Sequence, residues 1–219
     1  MIEKTTFKFL SDLNKNNRRE WFYANKSAYQ VARENVLDLI AMLIHHIAEF
    51  DNSLLGTEPK DCLFRIYRDV RFSKNKIPYK AWFSASLRGG GRKGIGAGYY
   101  ISIQPGKSYL GGGLWRPSSE DLDKIRKGII SRTQEFENVL EAKEFKDAFG
   151  ELGGEKLKTA PRGFSRDHPN IHWLRYKDFI VGKPISDKEI MEDQFLDYAV
   201  KSYYNMLPLK QFLNKRLEI

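Results

Sequence analysis

The sequence predicts an α+β fold, with a mostly antiparallel sheet of about four to six strands in the middle of the chain packed against N-terminal and C-terminal helices. Three observations carry this. Apolar residues recur at helical spacing over the first 49 positions, short β-branched and aromatic runs fill the middle, and helix-start signals return after Ser118. The 219 residues are 41% hydrophobic and 13% aromatic, enough to bury a substantial core, so residues 1–219 are expected to form a single domain.

Thr5 can cap a first helix over residues 5–13, where Phe7, Leu10 and Leu13 share a face. Residues 14–17 read as a break. Asn17 and Glu20 have capping-box spacing and open a long, kinked helix to about Glu49, with Trp21, Val36, Leu37, Ile40, Leu43, Ile44 and Ile47 along its stripe. His45 and His46 lie among those apolar residues and read as core or interface packing. Residues 62–72 read as strand, because Val, Ile, Phe and Tyr interleave with Arg, and Ile77-Pro78-Tyr79 ends it. Residues 82–87, 99–104 and 108–114 read as three more strands, the last two joined at Pro105-Gly106. Gly111, Gly112 and Gly113 mark a tight strand exit. Ser118 with Asp121, and Ser186 with Glu189, start helices over 119–130 and 187–204, and shorter helices fill 132–149.

Several function classes fall away. The longest apolar run, residues 36–47, is broken by Asp38, His45 and His46, far short of a membrane span. The first ten residues carry Glu3, Lys4 and Lys8 and do not resemble a secretion signal, so a cytoplasmic protein with no membrane partner is expected. Cys62 is the lone cysteine and offers neither a disulfide nor a CxxC pair. It lies among apolar residues, and no serine sits in a GxSxG elbow, so neither reads as a nucleophile.

Charge points the other way. Residues 60–93 hold ten basic side chains against Asp61 and Asp69, a net +8 in a chain of net +9, so the basicity is local. Such a field attracts phosphates, nucleic acid or acidic surfaces. If residues 64–73 stay extended, Phe64, Ile66, Arg68, Val70 and Phe72 face one way and Arg65, Tyr67, Asp69, Arg71 and Ser73 the other. The second face suits anion binding, since guanidinium forks match phosphate or carboxylate and the hydroxyls add donors. It also suits a pairing of Asp69 with Arg65 or Arg71 on a solvated sheet face or in a buried network. The candidate anion contacts are Arg65, Arg68, Arg71, Lys74, Lys76 and Lys80, with Arg162 and Arg166 as a second group.

Two loops complete the inventory. Residues 89–98 contain six glycines with Arg92 and Lys93, a composition that can wrap a phosphate or simply form a mobile hairpin loop, and they match neither GxxxxGK[ST] nor GxGxxG. Residues 162–169 join Arg162 and Arg166 to Asp167 and His168, where His168 could work as general acid or base beside Asp167. The plainer reading makes Asp167 a turn cap and packs His168 under Pro169. Asp167, His168 and His172 lack the further ligands a metal centre needs, so no metal or other cofactor is called for.

The run FRIYRDVRFSKNKIPYK (64–80), with GYYISIQPG (98–106), GGGLWRP (111–117) and LKTAPRGFSRDHP (157–169), resembles domain of unknown function family 2461, widely distributed conserved hypothetical proteins. The resemblance spans nearly the whole chain and implies no established activity. Asn75 stands where the family's run is expected to carry Asp, which weakens any mechanism needing a carboxylate there. Asp167, His168 and Pro169 keep the DHP element, while His172 lies outside the shared pattern.

Three functions follow as expectations. The first is a phosphate or polyanion binding domain, nucleic acid included, working through the basic segment. The second is an enzyme on a small phosphorylated or carboxylated substrate, with Arg65 and Arg71 holding the anion and Asp69, Asp167 or His168 moving protons. The third is a protein-interaction module. Ligand identity and oligomeric state are left open by the sequence.

Overall fold

A computed structural model describes residues 1–219. Helices α1 (Lys4–Lys15), α2 (Arg19–Ala24), α3 (Lys26–Ala48) and the single turn α4 (Pro59–Cys62) come first. Strands β1 (Phe83–Leu87), β2 (Gly98–Ile103) and β3 (Ser108–Leu114) follow. Then come α5 (Ser119–Ser131), α6 (Thr133–Glu141), α7 (Lys143–Phe149) and α8 (Ile171–Leu174). Strand β4 (Phe179–Ile185), α9 (Asp187–Met191) and α10 (Phe195–Leu217) close the chain. The fold is α+β, and its four strands form one antiparallel sheet in the order β1-β2-β3-β4.

The chain forms two compact units, each assembled from three stretches. The first comprises Met1–Gly94, Tyr100–Leu110 and Pro184–Lys201. Here α1 packs on α3, burying Phe7, Leu10 and Leu13 beside a stripe of Val36, Leu39, Ile40, Leu43 and Ile47. Asn35 ties the two elements: its Oδ1 accepts from Thr6 Oγ1 at 2.8 Å and from the Glu3 N–H at 2.9 Å. The expected long helix is divided at Asn25, whose Nδ2 donates back to the Trp21 carbonyl at 2.9 Å while its backbone leaves helical geometry. Asn17 does not cap α2. Its side chain instead pairs with the Tyr79 backbone in both directions, at 3.0 and 3.1 Å. Ser186 and Glu189 form the predicted capping box, and α9 then stops at Glu192, where the backbone turns extended.

The second unit comprises Ile95–Tyr99, Gly111–Lys183 and Ser202–Ile219. Ser118 caps α5 as its spacing with Asp121 predicts, its Oγ accepting from the Asp121 N–H at 3.1 Å. The C-terminal part of α10 buries Tyr203, Met206, Leu209, Phe212 and Leu213. That apolar face carries the helix through Pro208 to Leu217, well past the predicted end at 204, although proline withholds one N–H from the ladder. Gly112 and Gly113 belong inside β3 rather than at its exit. A Cβ on Gly112 would lie 2.6 Å from Met206 Cε, and one on Gly113 would lie 2.1 Å from the Phe179 carbonyl oxygen. Strand β4 has no counterpart in the sequence reading, because Gly182 and Pro184 interrupt its pattern; it sits at the sheet edge, where proline is tolerated.

Candidate anion-binding hairpin

Residues 62–72 do not form a regular strand. They pair through single bridges, Leu63 with Ala85 and Tyr67 with Tyr79. Arg68 N–H donates to the Pro78 carbonyl at 2.9 Å and Lys80 N–H to the Ile66 carbonyl at 2.8 Å, so the segment doubles back as a short, irregular hairpin. Pro78 has no N–H to return, which halts the ladder there.

An aromatic cluster anchors the base of this hairpin. Tyr79 is buried and stacks on Phe22 with ring centroids 4.1 Å apart and planes at 15°. Tyr67 packs against both rings, and Tyr29 extends the cluster from Phe22 to Phe83. Tyr67 and Tyr79 are thus engaged in holding the hairpin.

The expected alternation survives as far as Arg71, with Ile66 buried, Phe64, Arg68 and Val70 half-buried, and Arg65, Tyr67, Asp69 and Arg71 exposed. It fails at Phe72. Residues 71–72 turn, and the Phe72 ring, assigned by alternation to the apolar face, is 94% exposed. Arg71 lies 5.7 Å from that ring's centroid.

The candidate cations have distinct environments. Arg71 forms an ion pair with Asp69, Nε to Oδ1 at 3.0 Å and NH2 to Oδ2 at 2.7 Å, the solvated pairing that the sequence left as an alternative. Those bonds and the Arg71 backbone N–H hold the Asp69 carboxyl down at about 2, so it is ionised at neutral pH and poorly suited to proton transfer there. Arg68 donates to the Ile77 carbonyl at 3.1 Å, and Lys76 to the Val70 carbonyl at 3.0 Å, bracing the tip. Lys80 is half-buried over the Phe64 ring at 5.6 Å, and burial, then the charge of Arg65, pushes its ammonium pKa down. Arg65 and Lys74 stand exposed. The first unit also has a cleft of about 190 Å³ lined by Ser11, Asn14, Lys15 and Gln104 among others. Arg65 and Arg71 do not line it.

Elsewhere, the glycine-rich stretch forms a packed turn up to Gly94. Gly91 is buried against Asp61, where a Cβ would lie 2.5 Å from the carbonyl oxygen, and Arg92 donates to the carbonyls of Lys60 and Asp61 at 3.0 and 2.8 Å. Its glycines serve close backbone approach.

Arg162, Arg166, Asp167 and His168 belong to the second unit. The first three are exposed and His168 is half-buried. His168 Nδ1 accepts the Asn170 N–H at 3.0 Å, and the Asp167 N–H donates to Ser165 Oγ at 3.2 Å. Asn170 in turn donates to Thr133, so this loop is ordered as the lead-in to α8.

Phe72 is the residue that sequence reasoning missed. Its signal was present in the flanking Arg71, Lys74 and Lys76, since a chain that reverses direction among cations has little core to offer an aromatic ring.

A family model described as conserved hypothetical protein (DUF2461) matches residues 5–212. No curated protein and no solved structure matches the chain.

Proposed function

Because the chain belongs to the DUF2461 family of conserved hypothetical proteins, whose description names no activity, we propose from its residues that it binds polyanions through the Tyr67–Tyr79 hairpin. Nucleic acid is the ligand class that suits it. One observation carries the reading: the hairpin tip bears exposed Arg71, Lys74 and Lys76 around a 94% exposed Phe72, with Arg65 exposed nearer its base and Asp69 as the local acid. Several exposed cations on a loop match a chain of phosphates better than one small anion, because each exposed contact is weak and affinity comes from their number. An open aromatic ring among them adds a surface on which an unpaired base can stack. Engaging backbone carbonyls with Arg68 and Lys76 keeps the tip in shape before a ligand arrives, which lowers the ordering cost of binding.

Anisotropy titrations of labelled single-stranded and double-stranded oligonucleotides at several salt concentrations test this. The expected result is an affinity falling linearly in log–log form as salt rises. A flat salt response would remove the polyanion reading and turn attention to small phosphorylated or carboxylated ligands.

A further inference from the structure

Helix α3 ends in a second constellation. His45 and His46 occupy its last turn, and Glu49 follows immediately after the helix. Glu49 lies four residues beyond His45 and three beyond His46, the two spacings that place helical side chains one turn apart on a common face. The structure brings the three groups together, with a ligand atom from each lying within 4.8 Å of the others. His46 Nδ1 and Glu49 Oε1 are 3.1 Å apart, and the two imidazoles meet edge-on with centroids 5.1 Å apart. Of the two packings that the sequence suggests for them, core and interface, the core one does not hold: His45 is exposed and His46 half-exposed.

Ligands held at 2.0–2.1 Å on a tetrahedral zinc ion are about 3.4 Å from one another. Closing this cluster on an ion therefore asks only for small rotations of side chains that already reach solvent. Charge supplies an independent argument. Between Asn35 and Pro59 there is no lysine or arginine, although the chain is +9 overall, and the stretch carries Asp38, Glu49, Asp51 and Glu58. A cation at this position meets no competing cation from its own segment. The carbonyl end of the 23-residue α3 adds partial negative charge at the same place.

We propose that His45, His46 and Glu49 bind a divalent transition metal ion of the zinc class. Two imidazole nitrogens and one carboxylate oxygen suit Zn²⁺, Ni²⁺ or Cu²⁺, whereas Mg²⁺ and Ca²⁺ require oxygen-rich sets. Remaining coordination positions open to solvent. Cys62, the strongest alternative ligand by type, is fully buried away from solvent.

Full-length protein freed of metal by a chelator and titrated with ZnCl₂ against a chromophoric zinc indicator tests the site. One equivalent should bind, and MgCl₂ in excess should not displace it. His45→Ala and Glu49→Gln should each weaken binding by at least about tenfold, the lower end of what losing even an outer-shell partner costs a metal site. His172→Ala should leave it unchanged. Binding that persists in a His45→Ala/His46→Ala variant, or no stoichiometric uptake by the wild type, overturns the proposal. Should a variant misfold by circular dichroism, NiCl₂ broadening of imidazole NMR signals in the wild type decides: loss of the His45 and His46 resonances supports the site, and loss of His168 and His172 instead refutes it.

Discussion

Arg71 grips Asp69 through two parallel contacts, Nε to Oδ1 at 3.0 Å and NH2 to Oδ2 at 2.7 Å, at the solvent-exposed tip of the hairpin. The pairing places a carboxylate in competition with any phosphate that approaches the same guanidinium. Asp69→Asn should release Arg71 and tighten oligonucleotide binding, with the log–log salt slope steeper by about one phosphate contact. Thermal stability should scarcely change, because both partners are exposed. Anisotropy and thermal melts of the two proteins check this, and weaker binding by the variant would contradict it.

The same bond fixes a pH response. Asp69 is lowered from 3.8 to about 2, first by the Arg71 side-chain hydrogen bond and then by the Arg71 backbone N–H. A depressed carboxylate contributes above its unfolded pKa and loses that contribution as pH falls through the folded value. The pair should therefore hold unchanged across neutral pH and open only below the ordinary carboxylate range. Carbon-detected NMR of the Asp69 carboxyl should show its midpoint near 2, and a midpoint at the ordinary 3.8 would refute the pairing.

Phe72 separates stacking from charge. Phe72→Ala should weaken single-stranded binding by about 1–3 kcal/mol per stacked base, with far less effect on duplex. A 94% exposed ring contributes little to the core, so chemical denaturation should superimpose on the wild type. Equal losses for single and double strands would contradict the stacking role.

Phe22 holds the hairpin from below. It is fully buried and stacks on Tyr79 at 4.1 Å, so Phe22→Ala should cost about 3–5 kcal/mol in urea unfolding. A loss under 1 kcal/mol would mean that the ring is not packed as described.

Cys62 should be inert. Burial pushes its thiol up to about 11, so a disulfide reagent at neutral pH should label it only after denaturation. Rapid labelling of the native protein would contradict its burial.

Much of the architecture was legible where local chemistry and burial agree. Ser118 and Ser186 announced α5 and α9 because a cap needs only a hydroxyl and a nearby N–H, and the β2–β3 meander followed from alternation around Pro105-Gly106. What stayed hidden was settled by distant partners. Asn17 has the composition of a helix cap, yet its amide is taken by Tyr79, 62 residues away. Strand β4 carries Gly182 and Pro184, which only an edge position excuses. For the site, charge density found the basic segment and left open the pairing of Asp69 with Arg71. Period-two reasoning misplaced Phe72 because alternation assumes a strand, and the chain turns at residues 71–72. His45 and His46 were hidden by apolar neighbours whose side chains point to another side of α3.

The most direct measurement compares wild type with an Arg65→Glu/Lys74→Glu variant in anisotropy titrations of a single-stranded oligonucleotide across a salt series. Both positions are exposed, so circular dichroism should show the variant folded. Salt-sensitive binding by the wild type that disappears in the variant is the predicted result. Equal affinity and equal salt slope in the two proteins, or no wild-type binding at low salt, would contradict the assignment of the hairpin as a polyanion site.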